Sequence, residues 1–301
     1  MGVTWTLRVL APPETPDAAI GSAVAGALAK VVAEMSPWEP ESDISRFNHA
    51  EAGSWVAAPL GLLEVVSAAL AVAEASDGAF DPTLGRVVDL WGFGPAGAVA
   101  APPQREALEA ACAGWRDLRA DLASGRLLQP GGLSLDLSGI AKGYGVDQAA
   151  QALKGLGLRD FLLDVGGELR GSGVKGDGQP WWVEVERPPD ARFDAPPLLV
   201  ALHGLSIATS GDWRRTYSAG GRSYSHTIDP RSRRPVERGP AAATVLHEAC
   251  MHADAWCTAL MAAGEDAKAL ARNHDLAACI VSRGPSGGEE WVSPALERML
   301  A

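Results

Sequence analysis

Stretches patterned as strands and stretches patterned as amphipathic helices follow one another in this chain without regular alternation, and that order most restricts its fold. Val3, Trp5, Leu7 and Val9 alternate with polar neighbours, which predicts a half-buried strand. After the turn residues PPETPD, the residues Ile20, Val24, Leu28, Val31 and Met35 recur at spacings of three and four. That period predicts a helix capped by Asp17, laying one apolar face on a core and stopped by Pro37. A second helix is expected over 60–76, ending at the Asp77-Gly78 turn, and a third over 103–112. Further on, LSLDLSG, DFLLDVGGELRGSG, WWVEVER, LLVALHGLSIAT, SYSHTID, AAATVLHE and LAACIVS read as strands. They are interrupted by a helix through GYGVDQAAQALKGLG and another over 251–263. A doubly wound parallel sheet needs strict strand–helix alternation. The expected class is therefore α+β, a mixed and mostly antiparallel sheet core with packed helices. No internal repeat or linker divides the sequence, so residues 1–301 are expected to form a single domain, of one lobe or two packed ones.

Composition narrows the partners. The 37 acidic residues outnumber the 26 basic ones, giving a formal net charge of −11. Nucleic acid and anionic membrane surfaces require a basic face, so neither is expected as a general partner, although one local basic pocket suffices for a small anion. No apolar run approaches the roughly 18 residues of a membrane span. Cys112, Cys250, Cys257 and Cys279 form neither a dense disulfide framework nor a CxxC pair. The expected location is the cytoplasm, or the periplasm or a membrane anchor where an N-terminal signal has been removed.

Four segments carry enough chemistry to weigh. GFGPAG matches the spacing of a dinucleotide fingerprint, but Pro95 interrupts the loop and AVAAPP follows where a helix is required. In HEACMHADAWCT, Asp254 and Thr258 are four apart on a helix and offer a carboxylate and a hydroxyl to one point, a hard-oxygen pair suited to magnesium or calcium. Cys250 and Cys257 lie roughly along one side as well, which leaves open zinc, or simply a helix with packed polar residues. DLSGIAKGYGVD places Gly139, Lys142, Gly143 and Gly145 at a strand-to-helix transition, where N–H groups and a lysine can meet phosphate oxygens. ATSGDWRRTYSAGGRSYSHTIDP groups Ser210, Arg214, Arg215, His226 and Asp229 across an apparent hairpin in a turn-rich region.

In this order, these segments resemble the ApbE family of FAD:protein FMN transferases. SPWEPESDISRFN is similar to its first flavin-side motif and DGAFDPTLGRVVDLWGFGP to its second. LDLSGIAKGYGVDQAA with LLDVGGELRGSG resembles its central block, and ATSGDWRR, SYSHTIDP and CMHADAWCTAL its last three. The similar blocks extend from Met1 to about Ser282. The resemblance implies an ApbE-like, T-fold-related architecture. It also implies a magnesium-dependent enzyme that cleaves the FAD pyrophosphate, transfers FMN to a Thr or Ser hydroxyl of a target protein and releases AMP. Family relatives modify flavin-carrying respiratory or redox subunits, so an acceptor of that kind is expected.

Carried over residue by residue, the resemblance assigns the metal to the Gly139 carbonyl and the side chains of Asp254 and Thr258. It assigns flavin binding to Met1, Trp38, the turn Ala79, Phe80 and Asp81, Lys142 and Ile228. His226 is the implied catalytic residue, either a base for the incoming hydroxyl or a transient phosphoryl acceptor; the base is preferred because imidazole titrates near neutrality. Asp229 is expected to support it, and Asp81 and Asp164 are further metal neighbours to consider. Trp38 stands where the family often has tyrosine, and Gly139 where it usually has alanine. Two other activities share these residues: a magnesium-dependent FAD pyrophosphatase yielding FMN and AMP, and a flavin-binding protein without chemistry.

Overall fold

A computed structural model describes residues 2–111, 114–284 and 287–301. Its central sheet has seven strands: β1 (Trp5–Val9), β2 (Phe161–Val165), β3 (Glu168–Ser172), β4 (Ser206–Gly211), β5 (Ala242–His247), β6 (Ala277–Gly284) and β7 (Gly287–Val292). Their spatial order is their chain order, and every neighbouring pair is antiparallel. The α+β expectation is met. The one parallel pairing among the described residues is an isolated bridge between Leu84 and Ser134.

The helices that position the site are α1 (Asp17–Met35), α2 (Leu60–Ala75), α3 (Arg105–Ala110), α4 (Ala141–Gly155) and α5 (Cys250–Ala262). Ile20, Val24 and Leu28 of α1 pack with Val146, Ala149 and Leu153 of α4 and with Phe161, Leu163 and Val165 of β2. Met35, at the other end of α1, shares a cluster with Ala141 and Tyr144 of α4. The two helices therefore run antiparallel, and the C-terminal end of α1 lies beside the first turn of α4. Helix α1 is also long and apolar enough by composition to count as a spanning segment, contrary to the sequence expectation. Its alanines raise the average, while its bulky stripe is buried against α4.

Three other expectations need correction. Asp17 is the first helical residue and Pro16 holds the capping position, so Asp17 complements the helix dipole without capping. The third helix is shorter, Arg105–Ala110, with extended backbone at Gln104 and Ala111, and Cys112 lies outside the described residues. LSLDLSG is not a ladder strand. Leu133, Leu135 and Leu137 are buried, as an alternating pattern requires. However, side-chain amides take the place of a neighbouring strand: Asn48 both donates to the Leu135 carbonyl (3.0 Å) and accepts from its N–H (2.7 Å). Gln129 does the same for Leu133 at 3.0 and 3.2 Å.

Helices α4 and α5 cross at backbone contact. A Cβ on Gly143 would overlap the Cys250 carbonyl and lie 2.8 Å from the Met251 Cα, so only glycine permits this approach. Across it the helices exchange carboxylates. Asp147 of α4 accepts the N–H groups of Cys250 (3.1 Å) and Met251 (3.0 Å), while Asp254 of α5 accepts that of Gly143 (3.0 Å). Each helix start is thus capped by its partner, neither having a capping side chain of its own. Gly143→Ala is expected to cost about 1–3 kcal/mol in urea unfolding. Gly155→Ala, with open space at its Cβ, is expected to change stability by less than about 1 kcal/mol. Equal effects at the two positions would contradict the contact.

Candidate active site

The mutual caps bring together residues from distant parts of the chain. The Thr258 hydroxyl lies 3.5 Å from the Gly139 carbonyl, which it faces from one turn beyond Asp254 on α5. A Cβ on Gly139 would sit 2.7 Å from that hydroxyl, so the glycine here leaves Thr258 room beside the carbonyl. Asp254 is buried, with one oxygen on the Gly143 N–H and the other 3.7 Å from the Lys142 ammonium. Lys142, on the first turn of α4, also pairs with Glu168.

Glu168 is a residue that the sequence reading missed. Gly166 (φ 65°) and Gly167 (φ 99°) form a two-residue hairpin turn, which places Glu168 directly opposite Val165. Val165 faces the core, so the register itself sends Glu168 inward: it is 1% exposed. That register was the available signal. One Glu168 oxygen meets Lys142, and the other has no hydrogen-bond partner. Burial raises the Glu168 carboxyl to about 7, with Lys142 pulling the other way. Burial opposes the charge on Lys142, but Asp254 and Glu168 outweigh it and hold its pKa up at about 12. One cation between two carboxylates leaves the buried group at −1 when all are ionised.

His226 lies half-buried on the loop after the hairpin formed by Thr216–Ala219 and Arg222–Ser225. Its Nδ1 is 3.3 Å from the Arg215 carbonyl, and Phe93 meets the ring edge-on at 6.3 Å. A carbonyl can only accept, so Nδ1 carries the proton and Nε2 keeps its lone pair. Burial, then the charge of Arg215, with smaller effects from Lys142 and Arg214, lower the imidazole to about 4. Arg214 rests against the Gly167 turn and pairs with Glu186. A lysine, an arginine and a neutral imidazole therefore surround one region.

The remaining candidates take varied positions. The 79–81 turn is tied to the segment leading to Gly139 by the Asp136 N–H to the Pro82 carbonyl (2.8 Å) and the Gly85 N–H to the Ser134 carbonyl (2.9 Å). Ala79 and the Phe80 ring are buried, so what they can offer a ligand is main chain. Asp81 accepts from the Thr83 N–H (2.8 Å) and hydroxyl (2.5 Å), and burial raises its pKa. Ile228 is buried with Leu84 and Phe93. Trp38 is 48% exposed just past the end of α1, its face available for stacking. Met1 lies outside the described residues. Two other carboxylates are engaged locally: Asp229 with the N–H groups of Arg231 and Ser232 (3.0 and 3.4 Å), Asp164 with that of Gly167 (2.9 Å).

The donor set fits a hard cation. It is a carbonyl, a carboxylate and a hydroxyl, beside a buried carboxylate oxygen with no partner and an excess negative charge. The thiols do not converge in the same way. Cys257 donates to the Ala208 carbonyl (3.1 Å), and burial raises both Cys250 and Cys257, which disfavours the thiolates that zinc requires. No three His, Cys, Asp or Glu side chains cluster among the described residues.

Hard oxygen donors, a lysine and a neutral imidazole on an antiparallel sheet framework suit phosphoryl-group chemistry. Comparison with known proteins specifies the family. The ApbE family model matches residues 1–280, and the chain belongs to that family. It is 33% identical to an FAD:protein FMN transferase of Klebsiella pneumoniae, over all of this chain and 87% of that protein. The flavinyl transferase ApbE of Pseudomonas stutzeri in its apo form superposes with a TM-score of 0.91 at 36% identity, covering 99% of this chain and 94% of that one. The flavin transferase ApbE of Vibrio cholerae gives 0.89 at 31%, covering 99% and 96%.

An NMR titration of the His226 imidazole in the substrate-free protein is expected to have its midpoint near 4, below the ordinary 6.5. The ring is then neutral at pH 7, and its capacity to accept a proton disappears only as pH falls through that midpoint. Arg215→Ala should move the midpoint upward. A midpoint at or above 6.5 in the unsubstituted protein would overturn the electrostatic account.

Proposed function

We propose that this chain transfers FMN from FAD to a Thr or Ser hydroxyl of a protein acceptor, releasing AMP, with magnesium held by Gly139, Asp254 and Thr258. The observation that carries the reading is the oxygen set on α4 and α5 beside Lys142, within a chain of the ApbE family. Magnesium bound there supplies charge neutralisation for phosphate oxygens as the pyrophosphate is cleaved.

The chain's own residues do the rest. Asp254 accepts the Gly143 N–H, which fixes its carboxylate relative to the start of α4. Lys142 stays protonated between its two carboxylates and places a positive charge where the departing phosphate gains negative charge. The acceptor oxygen attacks the FMN phosphorus, the bond from that phosphorus to the AMP oxygen breaks, and the hydroxyl proton passes to Nε2 of His226. Nδ1, held on the Arg215 carbonyl, keeps the ring oriented for this transfer. Trp38 offers a face for the isoalloxazine ring, and the 79–81 turn and Ile228 border it.

Purified protein with FAD, magnesium and an acceptor should add the mass of FMN to a Thr or Ser, and chelation should stop the reaction. Asp254→Ala is expected to lower turnover at least about 100-fold while FAD binding persists. His226→Ala should slow transfer by about 100-fold or more. FMN and AMP appearing with no modified acceptor would assign the hydrolase activity instead, and FAD bound without cleavage would reduce the chain to a flavin binder.

A further inference from the structure

The GFGPAG segment takes no part in the chemistry proposed above, yet its glycines have a definite use. It follows the short helix Gly85–Leu90. The Gly92 N–H donates to the Asp89 carbonyl (2.9 Å) and the Phe93 N–H to the Val88 carbonyl (3.1 Å), with Gly92 at φ 76°. That pattern is a Schellman end, which needs the left-handed backbone that glycine adopts freely. A Cβ on Gly94 would overlap the Asp89 carboxylate, which accepts the Ala96 N–H (3.2 Å). The glycine spacing that imitates a dinucleotide fingerprint therefore folds the loop tightly round Asp89, and the residue this loop presents is Phe93.

Phe93 is buried and touches the His226 segment in three ways. Its ring packs with Ile228. The same ring meets the His226 imidazole edge-on, with centroids 6.3 Å apart and planes at 68°, a favoured aromatic geometry. Its carbonyl accepts from the Arg215 guanidinium (2.9 Å). Arg215 in turn offers its own carbonyl to the His226 N–H (3.1 Å) and to Nδ1 (3.3 Å). The contacts close a circuit that runs from the Phe93 carbonyl through Arg215 to the His226 ring and back to the Phe93 ring. Trp91, two residues earlier, grips the segment on both sides of His226: it meets the Tyr224 ring at 5.3 Å and donates from its indole to the Arg233 carbonyl (2.9 Å).

An imidazole has two orientations related by a half-turn of the ring, and only one points Nδ1 at the Arg215 carbonyl. A bond of 3.3 Å is long for an N–H donor and holds the ring weakly without support. We infer that Phe93 is the positioning residue of His226: its ring edge and its carbonyl's hold on Arg215 together keep the proton on Nδ1 and leave Nε2 aimed at the acceptor hydroxyl. The proton's destination rests on the transferase reading above. The ring's orientation does not, being a property of the substrate-free chain.

Phe93→Leu keeps an apolar side chain in place and removes the ring edge. In two-bond 1H–15N spectra of the substrate-free protein near neutral pH, the unsubstituted chain is expected to hold His226 in one neutral tautomer, protonated on Nδ1, and Phe93→Leu to show a mixture of both. With FAD, magnesium and an acceptor, Phe93→Leu should lower kcat about tenfold and leave the KM for FAD within about threefold. In a His226→Ala background the same substitution should change kcat by less than about twofold, since its effect passes through the imidazole. An unchanged kcat, a further tenfold loss in the His226→Ala background, or a single Nδ1–H tautomer retained in Phe93→Leu overturns the inference. Should Phe93→Leu not fold, Arg215→Met, which removes the guanidinium but not the carbonyl, is read against the same outcomes. Absence of transfer by the unsubstituted chain counts against the transferase reading alone, and the tautomer spectra still decide the role of Phe93.

Discussion

Asp147 of α4 takes the first two N–H groups of α5, and Asp254 of α5 takes the Gly143 N–H near the start of α4. Each carboxylate satisfies donors that a helix start cannot satisfy itself, and each sits at the positive end of the other helix's dipole. The exchange is possible because Gly143 lets the two backbones touch. Everything proposed for catalysis on these helices follows from that crossing. Lys142 is one residue before Gly143, the Gly139 carbonyl lies just ahead of α4, and Thr258 is one turn along from Asp254. Arg170 anchors the arrangement to the sheet by donating to Asp147 (3.0 Å) and to the Ser206 hydroxyl (3.1 Å).

The same crossing concentrates charge in a dry place. Two carboxylates share one ammonium, and burial makes the second carboxylate reluctant to ionise. Nearby the balance reverses: burial first, then the charge of Arg215 with smaller effects from Lys142 and Arg214, keeps His226 neutral. A negative pole and a positive pole set side by side suit phosphoryl-group chemistry, within a chain whose formal net charge is −11.

Period and spacing made much of this legible. The three-and-four spacing from Ile20 to Met35 located α1, the strand-prone run AAATVLHE located β5, and four-residue spacing put Asp254 and Thr258 on one helical face. Family resemblance, not spacing, tied them to Gly139. Signals failed where a side chain substitutes for backbone: Asn48 and Gln129 satisfy LSLDLSG from outside any ladder, so its alternation misled. Glu168 was overlooked because an acidic residue after two glycines reads as an exposed turn. Only pairing with Val165 turns it inward. The partners of Asp147 were likewise invisible, since a cap supplied by another helix leaves no local motif.

The Gly139 carbonyl and the Thr258 hydroxyl are 119 positions apart, and Gly143 and Asp254 are 111 apart. Such contacts are entropically late in folding, because the intervening chain must be ordered before they are rewarded. During synthesis, the ribosome releases a lysine with its carboxylate partner on β3 well before the residues of α5 that complete the oxygen cluster around Asp254. A nascent chain therefore lacks the assembled candidate site until α5 has docked.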